Sequence, residues 1–97
     1  MDEIGVGVAT EAPCLVWHGE RIDAPKNCFR WYRVWVQPDL FGVWAVWTAW
    51  GRIGSKTYRL RLQPVAGRDE AEQKARALIR RKTQRGYQST ARRPSLR

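Results

Sequence analysis

The chain of 97 residues is poor in the side chains that catalysis and metal binding usually need. It has one histidine, so any Ser/His/Asp or Cys/His set would have to be built on His18 alone. Its two cysteines, Cys14 and Cys28, are too few for a structural zinc site. They lack a cysteine-dense secreted pattern and a signal peptide, which suits reduced thiols in a cytoplasmic protein. No window approaches the roughly 18 to 20 uninterrupted apolar residues that cross a bilayer, so a soluble chain without membrane contact is expected. Carboxylates are scarce as well. Asp69, Glu70 and Glu72 lie where a helix begins and read as helix-start residues, not as an acid/base pair. The expectation is a protein that is not an enzyme, with no cofactor and no metal.

What is abundant is positive charge. Eighteen Lys and Arg against nine Asp and Glu give a net charge of +9 and a pI near 10.6. The imbalance is concentrated in one half. Residues 1–49 hold four basic and six acidic side chains, whereas residues 50–97 hold fourteen and three. A field gathered on one part of a small domain favours a polyanionic partner, nucleic acid being the commonest. Charge alone does not separate DNA from RNA, anionic lipid or an acidic protein.

Periodicity organises the chain. Residues 1–13 show no sustained period and read as a flexible lead-in. Cys14–Ile22 is a candidate first strand, followed by the turn-rich Asp23–Asn27. FRWYRVWVQ, residues 29–37, alternates with period two and is apolar on both faces: Tyr32, Val34 and Val36 share one, Trp31, Arg33 and Trp35 the other. A turn at QPDLFG leads to a third strand over residues 43–50, making a hairpin. In residues 57–65, Tyr58, Leu60 and Leu62 alternate with Arg59 and Arg61, which predicts a fourth strand whose outer face is basic. Ala71, Ala75, Leu78 and Ile79 form a single helical stripe between Asp69 and Arg85, and Gly86 stops that helix. Residues 88–97 have too little apolar content to order themselves and read as a basic disordered tail. The fold class is α+β, a four-stranded antiparallel meander with one amphipathic helix packed across it.

The stretch VWAVWTAWGRIG carries the binding signal. Trp50, Gly51 and Arg52 place a rigid indole beside a flexible, basic turn, which suits stacking on a sugar or an unpaired base. Packing of Trp50 on the helix, with the glycines serving only the turn, accounts for the same residues equally well. WGRIG, preceded by QPDLFG and followed by a basic strand, a helix and KTQRGY at residues 82–87, resembles the WGR domain over about residues 15–87. QPDLFG and the RGY ending are similar to the small bacterial members, in which the domain stands nearly alone. The resemblance implies an antiparallel sheet with a helix across it over residues 14–87, and a nucleic-acid role. In poly(ADP-ribose) polymerases the domain binds broken DNA ends, the motif tryptophan resting on the terminal sugar and the arginine entering the same interface. By position those roles fall on Trp50 and Arg52. The polymerases' Asn-Lys-Tyr-Tyr entry to the second strand reads Phe29-Arg30-Trp31-Tyr32 here, so the contacts of that Asn and Lys do not carry over.

The expected function is therefore nucleic-acid binding, DNA favoured, with low sequence specificity and a bias to ends, breaks or single strands. The expected site residues are Trp50, Gly51, Arg52, Lys56, Arg59, Arg61, Arg80, Arg81, Lys82 and Arg85. Two alternatives stand beside it: RNA binding through the same residues, and a protein-interaction adaptor. In the second, Trp31, Trp35 and Trp47 dock a partner or a second copy, unless the N-terminal segment covers them.

Overall fold

The computed structural model describes residues 14–90. In chain order the elements are β1 (Leu15–Asp23), a single 3-10 turn (Ala24–Lys26), β2 (Cys28–Pro38), β3 (Trp44–Arg52), β4 (Arg59–Pro64), α1 (Arg68–Gln84) and β5 (Gln88–Ser89). The strands form one antiparallel sheet in the order β4-β3-β2-β1-β5, with α1 across one face.

The hairpins are closed by local chemistry. The Asp39 carboxylate accepts hydrogen bonds from the Phe41 and Val43 backbone N–H groups at 2.8 and 3.0 Å, and Gly42 takes the left-handed conformation that the tight return requires. At the other end of β3, Ser55 N–H donates to the Arg52 carbonyl and Gly54 has φ +90°, the arrangement of a turn that needs glycine at its third position. The helix begins after Gly67, where Glu70 reaches back to accept from the Ala66 N–H. It ends in a Schellman motif: Gly86 N–H donates to Thr83 and Tyr87 N–H to Lys82, with Gly86 at φ +102°. That reversal drops Tyr87 onto Tyr32, edge to face at 6.0 Å.

The core lies between α1 and one sheet face. Val34, Val36, Ala71 and Ala75 are wholly inaccessible to solvent, with Tyr32, Val46 and Tyr87 completing the cluster and Trp17, Trp44, Trp50, Leu78 and Ile79 packed at its edge. Opposed residues of antiparallel strands share a face. The pairs Val34–Thr48–Arg61 and Tyr32–Trp50–Arg59 therefore look toward the helix, and Trp35–Trp47–Leu62 looks away from it.

Two sequence expectations change. The sheet has five strands, not four, because Gln88 and Ser89 pair with Glu20 and Gly19, and Thr90 N–H donates to the His18 carbonyl. Backbone pairing at a sheet edge places few demands on side chains, so a polar segment can form it. The lead-in over residues 1–13, and residues 91–97 of the expected tail, lie outside the described residues. The second change concerns β4. Arg59 and Arg61 are exposed, but on the helix side of the sheet, while Tyr58, Leu60 and Leu62, 60, 54 and 40 % exposed, join the tryptophans on the helix-free face.

Gly19 is buried in β1, and a Cβ there would fall inside the Trp17 ring that lies over it. Gly19→Ala should therefore destabilise the domain by about 1–3 kcal/mol through overpacking. A thermal melt should show Tm lowered by roughly 4–20 °C; an unchanged Tm would show that the indole swings aside freely.

Candidate nucleic-acid interface

Where the helix stops short of the sheet's end, an open groove of about 600 Å³ remains, lined by Arg30, Trp31, Tyr32, Trp50, Gly51, Arg52, Arg61, Lys82 and Tyr87. Four of these side chains are cationic and none is acidic. The aromatic part is built across strands. Trp50 sits opposite Tyr32 in register, and the two rings stack at 5.9 Å with 25° between their planes. Trp50 is half-buried: it packs against the core with part of its surface and lines the groove with the rest.

The cations are held in place. Lys82 Nζ lies over the Tyr32 ring at 4.4 Å and over the Tyr87 ring at 5.7 Å. Arg52 lies over the Phe29 ring at 5.4 Å and donates to Asn27 Oδ1 at 3.3 Å, which commits part of its guanidinium and leaves further donors. Desolvation lowers the Lys82 pKa from its ordinary value, and Arg85, Arg81 and Arg30 lower it further, so the positive potential of several side chains converges there. Burial raises the Tyr32 phenol pKa. An anion in this groove meets preassembled charge.

Gly51 has a spatial reason to be glycine. A Cβ there would sit 3.1 Å from Tyr58 Cβ, 3.3 Å from the Thr57 carbonyl oxygen and 3.3 Å from Trp31 Nε1. The motif's middle residue thus lets the chain after β3 fold back closely against Trp31.

Of the expected site residues, Trp50, Gly51, Arg52, Arg61 and Lys82 meet in this groove. Arg59 lines a shallower hollow beside it with Trp50, Arg52 and Thr57, and Arg81 lines a neighbouring groove with Arg61. Arg85 contributes to the field at Lys82. Lys56 and Arg80 are exposed and line none of these hollows. Arg30, Tyr32 and Tyr87 were not among the expected residues. The alternation of residues 29–37 put Arg30 on the face of Tyr32, but only the β2–β3 register sets it opposite Arg52.

The helix-free face is different in kind. Trp35 stacks on Trp47 at 5.8 Å and 14°, His18 stacks on Trp31 at 5.8 Å and 16°, and Tyr58 tilts against Trp31 at 5.7 Å. Between the two clusters lies a hollow of about 410 Å³, lined also by His18, in which Glu20 and Arg33 are the charged residues. Among the described residues, no three His, Cys, Asp or Glu side chains gather to hold a metal ion, and no helix is long and apolar enough to cross a membrane.

The sequence matches the WGR domain family over residues 17–94. The chain belongs to that family. Its WGR motif is the Trp50-Gly51-Arg52 corner of the groove, and in the poly(ADP-ribose) polymerases the WGR domain is a nucleic-acid-binding type of module. The chain is also 35 % identical over 77 residues to an uncharacterized protein, y4dW, of Sinorhizobium fredii (strain NBRC 101917 / NGR234), an alignment covering 79 % of this chain and 36 % of that protein. The WGR domain here thus spans about a third of that relative's length. No solved structure gives a significant match.

His18 carries a pH dependence. Burial lowers its pKa, Arg33 adds to that, and its Nδ1 is buried without a partner; Glu20, 3.6 Å from Nε2, opposes the shift only in part. The native imidazole stays neutral at pH values where the unfolded one takes a proton. Stability should fall as pH drops below about 6.5 toward the lowered native value. Urea unfolding across that range checks it, and His18→Gln should remove the dependence.

Proposed function

We propose that this WGR domain is a DNA-binding module, without catalytic activity, that seats the end of a strand or an unpaired nucleotide in the groove at Trp50. The single observation that carries this reading is the groove's composition: a half-buried indole plate, backed by Tyr32, among four cations and no carboxylate. The cations Arg30, Arg52, Arg61 and Lys82 contact phosphates, which positions a strand without reading its sequence. Trp50 offers its ring to a sugar or base, a contact indifferent to base identity. Arg59, Arg81 and Arg85 extend the field, and Lys56 and Arg80 add to it from further away.

Fluorescence anisotropy with labelled single-stranded DNA, single-stranded RNA, nicked duplex and intact duplex tests this. With four phosphates neutralised, log K should fall against log salt with a slope of about −3 to −4; a flat dependence would remove the electrostatic mechanism. Trp50→Ala should weaken binding to ends and single strands about tenfold, for a stack worth about 1–3 kcal/mol, and to internal duplex much less. RNA outcompeting both DNA forms would reassign the partner.

The helix-free face supports a second reading, as a protein-interaction surface. Trp31, Trp35 and Trp47 are joined there by exposed Tyr58, Leu60 and Leu62 into a broad aromatic and aliphatic sheet face that carries Arg33 and Glu20 together and so lacks the cationic excess of the other side. Self-association or a protein partner at this face leaves the groove free. Light scattering on the full chain should detect dimers at tens of micromolar, reduced by Trp47→Glu. A monomer at every concentration would exclude self-association.

A further inference from the structure

A second groove, of about 350 Å³, lies between α1 and β4. Lys74, Ala77, Leu78 and Arg81, spaced i, i+3, i+4 and i+7 on one edge of the helix, form one wall. Arg61 and Gln63 of β4 form the other, and Val46, Thr48 and Tyr32 lie between them. Three cations and no carboxylate line it. Lys74 also pairs with Glu70 one turn earlier on the helix, at 3.9 Å.

Thr48 is the anomaly in this groove. It is 4 % exposed and sits on β3 between Val46 and Trp50, opposite Val34, where valine would fill the same space. Its hydroxyl is buried and completes no hydrogen bond, although it lies near the Tyr32 phenol. A buried hydroxyl left unpaired costs about 1–3 kcal/mol, which valine would avoid. The Tyr32 phenol is the neighbour that can take this proton, and it is free to do so once an anion held among the three cations accepts from the phenol in turn. Tyr32 and Arg61 line both this groove and the one at Trp50, so the two are segments of one trough. Along β3 it extends from Val46 to Arg52, about 20 Å at 3.3–3.4 Å per residue.

We propose that the groove between α1 and β4 is a phosphate site, in which Lys74, Arg61 and Arg81 hold the oxygens of a phosphodiester while the Tyr32 hydroxyl, positioned by Thr48, completes the donor set. Thr48, being buried, acts by donating to the Tyr32 hydroxyl, which is thereby oriented to donate to the anion. This rests on the proposed function, since the phosphodiester is an inner one of the strand that ends at Trp50. The chemistry is equally that of a free phosphate, and the trough's continuity favours the strand.

The experiment compares wild type, Thr48→Val, Thr48→Ser and Lys74→Gln/Arg81→Gln, by thermal melt without ligand and by anisotropy with an eight-nucleotide single-stranded DNA and with a dinucleotide. Thr48→Val should raise Tm yet weaken the octanucleotide about fivefold, with Thr48→Ser restoring affinity. The double variant should weaken the octanucleotide tenfold or more and lower the salt slope by about one to two. The dinucleotide, which reaches only the Trp50 groove, should be indifferent to both Thr48 variants and should weaken in the double variant far less than the octanucleotide, by no more than the loss of the Arg81 field at Lys82. A melt in inorganic phosphate against chloride at equal ionic strength separates the sources: stabilisation by phosphate that matches the octanucleotide's would assign a free anion instead of a strand. Thr48→Val that raises Tm with octanucleotide affinity unchanged, or a double variant that binds normally, would overturn the site while leaving the Trp50 reading intact. Absence of binding by wild type to either oligonucleotide would overturn both.

Discussion

One helix lies on a sheet wider than itself. An α-helix with its side chains is about 10–12 Å across, whereas five strands about 4.8 Å apart span roughly 19 Å between the outermost axes. The helix packs over β1, β2 and β3, burying Val34, Val36 and Val46 against Ala71 and Ala75, and β4 extends beyond its cover. Everything on the helix-side face of β4 is consequently exposed, and it is there that Arg59, Arg61 and Gln63 stand. The helix also ends before the sheet does, at a Schellman turn, which leaves Trp50 and Tyr32 with one side toward the core and the other toward the groove.

The same geometry divides the surface by chemistry. The uncovered part of the helix side is a trough with cations on both walls, from Lys74 and Gln63 at one end to Arg30 and Arg52 at the other. The opposite side has no helix and is paved by side chains that cover one another. Trp35 lies on Trp47, His18 on Trp31, and the leucines of β4 extend the apolar surface to the sheet edge. Six tryptophans in 97 residues are more than a core of this size holds, and the sheet accommodates them by using both faces.

The strands of this domain were legible because their periods are strong. FRWYRVWVQ has no other regular conformation that separates Tyr32, Val34 and Val36 from Trp31, Arg33 and Trp35, and both sets do lie on opposite faces. The helix stripe Ala71, Ala75, Leu78, Ile79 is the buried or half-buried side of α1. The β4 alternation was equally legible, yet its direction was not: in a sheet apolar on both faces, leucines on one side and arginines on the other do not say which side meets the helix. Pairing does, by setting Leu62 opposite Trp47 and Arg61 opposite Thr48, and a slip of one residue would exchange them. Arg30 and Thr48 gain their meaning in the same way, from the cross-strand neighbours Arg52 and Val34 that only the register supplies.

The sequence by itself determined the α+β class, the basic half, the helix with its glycine stop and the Trp50-Gly51-Arg52 corner, because these follow from composition, local periodicity and backbone preference within a few residues. Only the tertiary structure decided the strand at Gln88–Ser89, the side on which the β4 arginines lie, the stacking of Tyr32 under Trp50 and the orphaned hydroxyl of Thr48. Those depend on register and on how far a single helix reaches across the sheet, quantities set by contacts between residues far apart in the chain.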